Sequence, residues 1–310
     1  MVSTGMNPFI NAQGYATTGM FSVAIGAVAN LILDPVFIFV FGLGIRGAAI
    51  ATVLSQILSA AFVLYFLRKK TELTVRLLSL EEIRGCWNRA KNIISLGTAG
   101  FIMQLTNSLV TICCNNVLSV TGGDLYISVM TIVSSIRQII DTPIHAITEG
   151  SSPVISYNYG ARRPKRVFQS WLTMSVMAIL YTLLAWGVIL FAPRFLIGIF
   201  SSDQALITDA IPALKLYFGA FVFQALQYVG QTMFKSLGKK KFAIFFSLLR
   251  KVIIVVPLTY ILPYLFHMGS DGVFLAEPVS NVLGGSACFI VMLCTVMPEL
   301  KRMAKENSDR

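Results

Sequence analysis

Arg137, Asp141, His145 and Glu149 recur every four residues in one otherwise apolar stretch. On a helix that spacing sets them along one slowly drifting face. Arg137 and Asp141 can pair across one turn, and His145 is the side chain most easily switched near neutral pH. Such a face either lines a cavity or closes on itself, with Arg137–Asp141 an ion pair and Glu149 near the headgroups. Asp34 stands beside Pro35, with Asn30 one turn before it. Proline frees a carbonyl one turn back, and a carboxylate beside that break can hold a proton or a cation. The alternative is a structural Asp34, hydrogen-bonded to Asn30 or to freed backbone. Glu277 precedes Pro278 and either takes part in transport or accepts backbone donors. Gln104, Asn107, Thr111 and Asn115 form one amide-rich stripe, and Gln224, Gln227 and Gln231 another. Amide stripes contact a substrate or bond helix to helix. Lys215, Arg250 and Lys251 can answer the carboxylates, although the last two can instead snorkel to a membrane surface.

The elements that carry these residues are apolar enough to cross a membrane. Of the 310 residues, 55% are hydrophobic and 13% charged, about half the charged share of a soluble domain. Roughly 20 apolar residues span a bilayer as a helix. Eight stretches qualify, approximately 20–41, 48–67, 93–120, 127–147, 172–192, 210–233, 242–266 and 273–296. Residues 1–16 are apolar but short, either a surface helix or the stub of a further span. The segment from Met1 lacks a basic start and a cleavage site, so no cleavable signal is expected. The fold class expected is therefore all-α integral membrane.

The net charge of +11 would suggest nucleic acid in a soluble protein. Here the basic residues lie in short loops, where they set orientation, and no nucleic-acid partner is expected. Every second loop is basic: Arg68–Lys91, Arg162–Arg166, Lys235–Lys241 and Lys301–Lys305. Those loops and the C-terminus are expected in the cytoplasm, with the chain multi-pass in the cell membrane. The longest loop carries Ser79-Leu-Glu-Glu82, a capping box, and a stripe of Leu77, Leu80 and Ile83. It reads as a linker over 68–92. It separates a partial N-terminal lobe (1–67) from a C-terminal lobe (93–298) and a tail (299–310). Neither a Walker A motif nor a Ser-His-Asp pattern stands out, so ATP-driven or enzymatic chemistry is not expected. The five cysteines lack metal-ligand spacing, and the four inside apolar spans, Cys113, Cys114, Cys288 and Cys294, read as small core residues.

An internal repeat organises the chain. Gly44, Gly47, Ala51, Ser55 and Gln56 recur in order as Gly269, Gly272, Ala276, Ser280 and Asn281. Upstream, Asp34-Pro35 reads against Val256-Pro257 with a short insertion, and Asn7 and Asn11 against Gln227 and Gln231. Duplicated halves are the usual build of secondary transporters, with the substrate site between them.

Two runs carry a resemblance. Asn30-Leu-Ile-Leu-Asp34-Pro35-Val-Phe-Ile38, followed by Gly44-Ile-Arg-Gly47-Ala-Ala-Ile-Ala51-Thr52, resembles the fifth and sixth helices of prokaryotic MATE (multidrug and toxic compound extrusion) transporters. Gly150-Ser-Ser-Pro153-Val-Ile-Ser-Tyr157-Asn158-Tyr159-Gly160-Ala161 is similar to the motif after that family's eighth helix. With the repeat, the likeness covers essentially the whole chain. It implies two six-helix lobes, of which this chain holds the end of helix 4 through helix 12 and lacks the first three. It also implies efflux of amphipathic, often cationic compounds against a sodium or proton gradient, with no cofactor beyond that ion. Rival readings are a flippase for lipid-linked oligosaccharides, from the same superfamily, and a truncated remnant that transports nothing. The acidic residue that some members carry on the first helix has no counterpart here.

Overall fold

The computed structural model describes residues 2–70 and 86–308. Among these the chain is helical, and it separates into two compact units, Met1–Asn88 and Arg89–Arg310. The capping box at Ser79–Glu82 and its apolar stripe lie outside the described residues.

In the first unit α1 (Val2–Ala12) packs on α2 (Ala16–Pro35) and α3 (Gly44–Lys69). The stub is thus a helix of its own. Ile10 is buried with Val63 and Leu67, and Asn7 donates to Gly19 O at 2.8 Å and to Ser22 Oγ at 2.7 Å. Helices that cannot gain by burying oil in oil associate through small side chains and hydrogen bonds. Ser59 shows this, donating to Ser22 O at 2.6 Å across the α2–α3 contact. α2 runs on through Pro35 into a wide π turn, Val36–Val40.

The second unit begins with α4 (Trp87–Thr121) and α5 (Gly123–Gly160), followed by α6 (Pro164–Phe191) and the short α7 (Pro193–Gly198). α8 (Gln204–Tyr217) and α9 (Phe221–Ser236) form one element bent by 50°. α10 (Lys240–Leu248) continues through a π stretch, Leu249–Val255, into α11 (Val256–Tyr264). α12 (Gly269–Ser280) continues through a second, Asn281–Gly285, into α13 (Ser286–Ser308). Extra-residue turns of this kind concentrate at functional positions.

The eight expected spans are helical apart from a few end residues and a turn at 218–220 inside the sixth. Among the described residues six elements are long and apolar enough to cross a membrane, or seven if the bent α8–α9 pair is one span. The difference from eight lies in that bend and in α5, which is 38 residues long but interrupted by Asp124, Arg137, Asp141 and Glu149. Lipid-facing surface is plain: Ile45 is 92% exposed and Phe191 91%. Apolar area of this kind is costly in water and costs nothing among acyl chains.

Two apolar cores hold the second unit. One joins α4, α5, α6, α8 and α12 around Leu118, Ile136, Leu214 and Phe274. The other joins α5, α6, α9, α10 and α13 around Ile155, Met174, Phe234 and Met292. The intervening stretches of α5, α9, α10–α11 and α12–α13 carry Asp141, Gln224, Arg250, Lys251, Glu277 and Asn281, all buried.

Candidate functional site

Glu277 is the hub of this polar layer. It is 3% exposed, and Pro278 follows it within α12. Its Oε1 lies 2.7 Å from Arg137 Nη2, 3.0 Å from Arg250 Nη1 and 3.1 Å from Lys251 Nζ. A buried carboxylate loses several kcal/mol of hydration unless charge and hydrogen bonds replace it, and three cations meet here on one oxygen. Arg250 and Lys251 arrive from the π stretch between α10 and α11. They are 4% and 6% exposed, so they point inward and do not snorkel. Arg250 Nη1 also donates to Asn281 Oδ1.

Arg137 links Glu277 to the second carboxylate. Its Nε lies 3.2 Å from Asp141 Oδ2, and Nη1 donates to Tyr217 Oη beside the α8–α9 bend. The guanidinium carbon sits 5.4 Å from the centre of the Tyr217 ring, within cation–π range. Asp141 also accepts from Gln224 Nε2 at 3.2 Å and from Tyr228 Oη at 3.2 Å. The His145 ring lies 4.6 Å from that of Tyr228.

These groups border a cavity of about 430 Å³ within the second unit. Gln104 and Asn107 from α4, Gln227 and Gln231 from α9, and Arg137, Asp141 and His145 from α5 line it, with Lys235, Arg250 and Lys251. Gln224 stands behind the wall and holds Asp141. Glu149 is exposed and lies 3.9 Å from Lys235 Nζ. Lys215 is exposed, and the carboxylates are answered by Arg137, Arg250 and Lys251 instead. In the first unit Asp34 is half-buried and accepts from Asn30 Nδ2 at 3.1 Å. Among the described residues no cluster of three or more His, Cys, Asp or Glu could hold a metal ion.

Tyr217, Tyr228 and Asn281 belong to the network but were not singled out from sequence. A signal existed for Tyr228, one turn after Gln224 on the amide face. Asn281 carried one too, as the terminal amide of the repeat. Tyr217 had none, because aromatic residues are common at every level of a membrane helix.

The chain is similar in sequence and fold to known transporters. The MatE family profile matches residues 100–261. The multidrug export protein MepA of Staphylococcus saprophyticus is 25% identical over 290 residues, 93% of this chain and 62% of that protein. MepA of Staphylococcus aureus is 24% identical over the same share. The chain thus spans about three-fifths of the length of these relatives. Among solved structures, a MATE protein in its bent conformation superposes with a TM-score of 0.85 at 22% identity, covering 99% of this chain and 67% of that one. A MOP superfamily transporter from Pyrococcus furiosus, described as having a binding pocket of reverse polarity, superposes at 0.81 and 24% identity, covering 94% of this chain and 64% of that one.

Proposed function

The chain belongs to the MatE family, and on that premise we propose that it serves secondary active export of small amphipathic compounds, driven by a sodium or proton gradient. One observation carries this reading: a buried network of two carboxylates and three cations beside a cavity, inside helices that otherwise face lipid. A charge at the centre of a bilayer costs a few kcal/mol or more, and helices that bend or widen where such charges sit are the usual seat of ion and substrate binding in secondary transporters. Asp34 and Asp141 are the carboxylates proposed to bind the proton or cation and so to bias inward- and outward-facing states. The basic loops place the C-terminus in the cytoplasm in this reading, and the membrane is the plasma membrane.

The test is dye release from proteoliposomes holding the chain. With cationic ethidium or anionic 1-anilinonaphthalene-8-sulfonate loaded inside, at least one dye should leave faster when an inward sodium or pH gradient is imposed, and its rate should fall to the leak when the gradient is collapsed. Folded protein that ignores both gradients would sink the reading and favour a remnant that transports nothing. Cationic cargo is the family expectation, and the cavity wall of the second unit bears on it directly.

A further inference from the structure

Four basic side chains, Arg137, Lys235, Arg250 and Lys251, line the cavity of the second unit against the single carboxylate of Asp141. Glu277 stands behind the wall and already accepts from three of the four. Lys235 faces Glu149 at 3.9 Å, at a partly exposed site. The buried part of the network therefore sets three basic side chains against two carboxylates. A third positive charge there has no carboxylate of its own and is costly until an anion joins it. The cationic side is also under-satisfied in hydrogen bonds: Arg250 Nε is buried with no acceptor in reach among the described residues. Around the cations, Gln104, Asn107 and Gln231 offer amide donors, and Val110 and Met130 an apolar wall.

We propose that this cavity binds the acid group of an amphipathic cargo, a carboxylate or phosphate on an apolar frame, with Lys251 and Arg137 as its counter-charges. The proposal rests on the export reading and narrows its substrate class from amphipathic compounds in general to anionic or zwitterionic ones. A cationic head placed in the same cavity meets four like charges. An acid group supplies the missing negative charge and accepts from donors that a planar carboxylate can bridge.

Binding to the purified chain in nanodiscs of zwitterionic lipid separates the possibilities without any gradient. The probes share one frame: 2-naphthoate, the neutral 2-naphthamide and the cation 2-naphthylmethylammonium. Calorimetric titration should show naphthoate at least about tenfold tighter than either relative, the worth of one charge-assisted hydrogen bond. Lys251→Met removes the surplus charge while Arg137 and Arg250 still hold Glu277. It should abolish the preference and melt no lower than wild type, whereas Lys251→Arg should keep the preference. Lys235→Gln changes a half-exposed side chain, and it should weaken naphthoate several-fold while leaving the amide and the melting temperature unchanged. Equal affinity for the three probes, tighter binding of the cation, or a preference that survives both Lys251→Met and Lys235→Gln would each overturn the proposal. So would loss of naphthoate binding on adding phosphatidylglycerol, since a lipid headgroup would then own the cavity. Gradient-driven dye efflux reads the export hypothesis separately: naphthoate preference without efflux sinks export alone, and efflux without the preference sinks the anion site alone.

Discussion

The repeated segment occurs once in each unit, and the two copies agree in backbone and differ in charge. Both helices start at a glycine with left-handed backbone, Gly44 at φ 53° and Gly269 at φ 56°. Before each, a backbone N–H reaches six residues back, Leu43 to Phe37 O at 3.1 Å and Met268 to Leu262 O at 3.3 Å. One turn into each helix, a Cβ on Gly47 would meet Phe37 O at 2.6 Å, and one on Gly272 would meet Pro263 N at 2.8 Å. Ala51 and Ala276 are both fully buried. Ser55 and Ser280 both donate to the carbonyl three residues back, those of Thr52 and Glu277. The copies part at the residues between these anchors. Thr52 and Gln56 are exposed, while their counterparts Glu277 and Asn281 are buried and bind Arg250. Four residues beyond the serine, the first copy has Ser59 against Gly26 and the second has Gly284 against the Arg250 stem. Small residues thus fix the same hairpin twice, and in the second copy Gly284 leaves room for the Arg250 stem.

Charge changes should break this symmetry most. Glu277→Gln leaves Arg137, Arg250 and Lys251 without their shared carboxylate, a loss on the order of 3–5 kcal/mol. Thr52→Ala, at the matched exposed position, should stay within about 0.5 kcal/mol. Melting of the two variants in nanodiscs measures the contrast, and similar shifts would show that the second copy's charges carry no special weight. Backbone changes should respect the symmetry. Gly47→Ala and Gly272→Ala each push a methyl group into main-chain atoms and should cost about 1–3 kcal/mol alike. A large effect in one copy with none in the other would mean the shared close approach is not what holds both hairpins.

Much of this was legible in sequence, for physical reasons. Apolar length gave the spans, because a bilayer demands it. Ordered glycines and serines gave the duplication, because close backbone approach tolerates little else. Four-residue spacing put Arg137, Asp141 and His145 on one face, and the structure sets all three on the cavity wall. Spacing within a helix says nothing about partners on other helices. That Arg137 reaches Glu277, 140 positions on, follows only from how α5 and α12 pack. The inward turn of Arg250 and Lys251 was equally hidden, since snorkelling and burial share one local sequence.

The central claim, that the buried network serves transport and not folding alone, is tested most directly by Asp141→Asn. Asparagine keeps the shape and can still accept from Gln224 and Tyr228, while Arg137 keeps Glu277 at 2.7 Å. Only the charge that binds a proton or cation is gone. Efflux of whichever dye the unaltered protein exports and melting temperature, measured on the same protein reconstituted in liposomes, should show gradient-driven efflux lost at wild-type stability. Undiminished efflux at unchanged stability would contradict the claim.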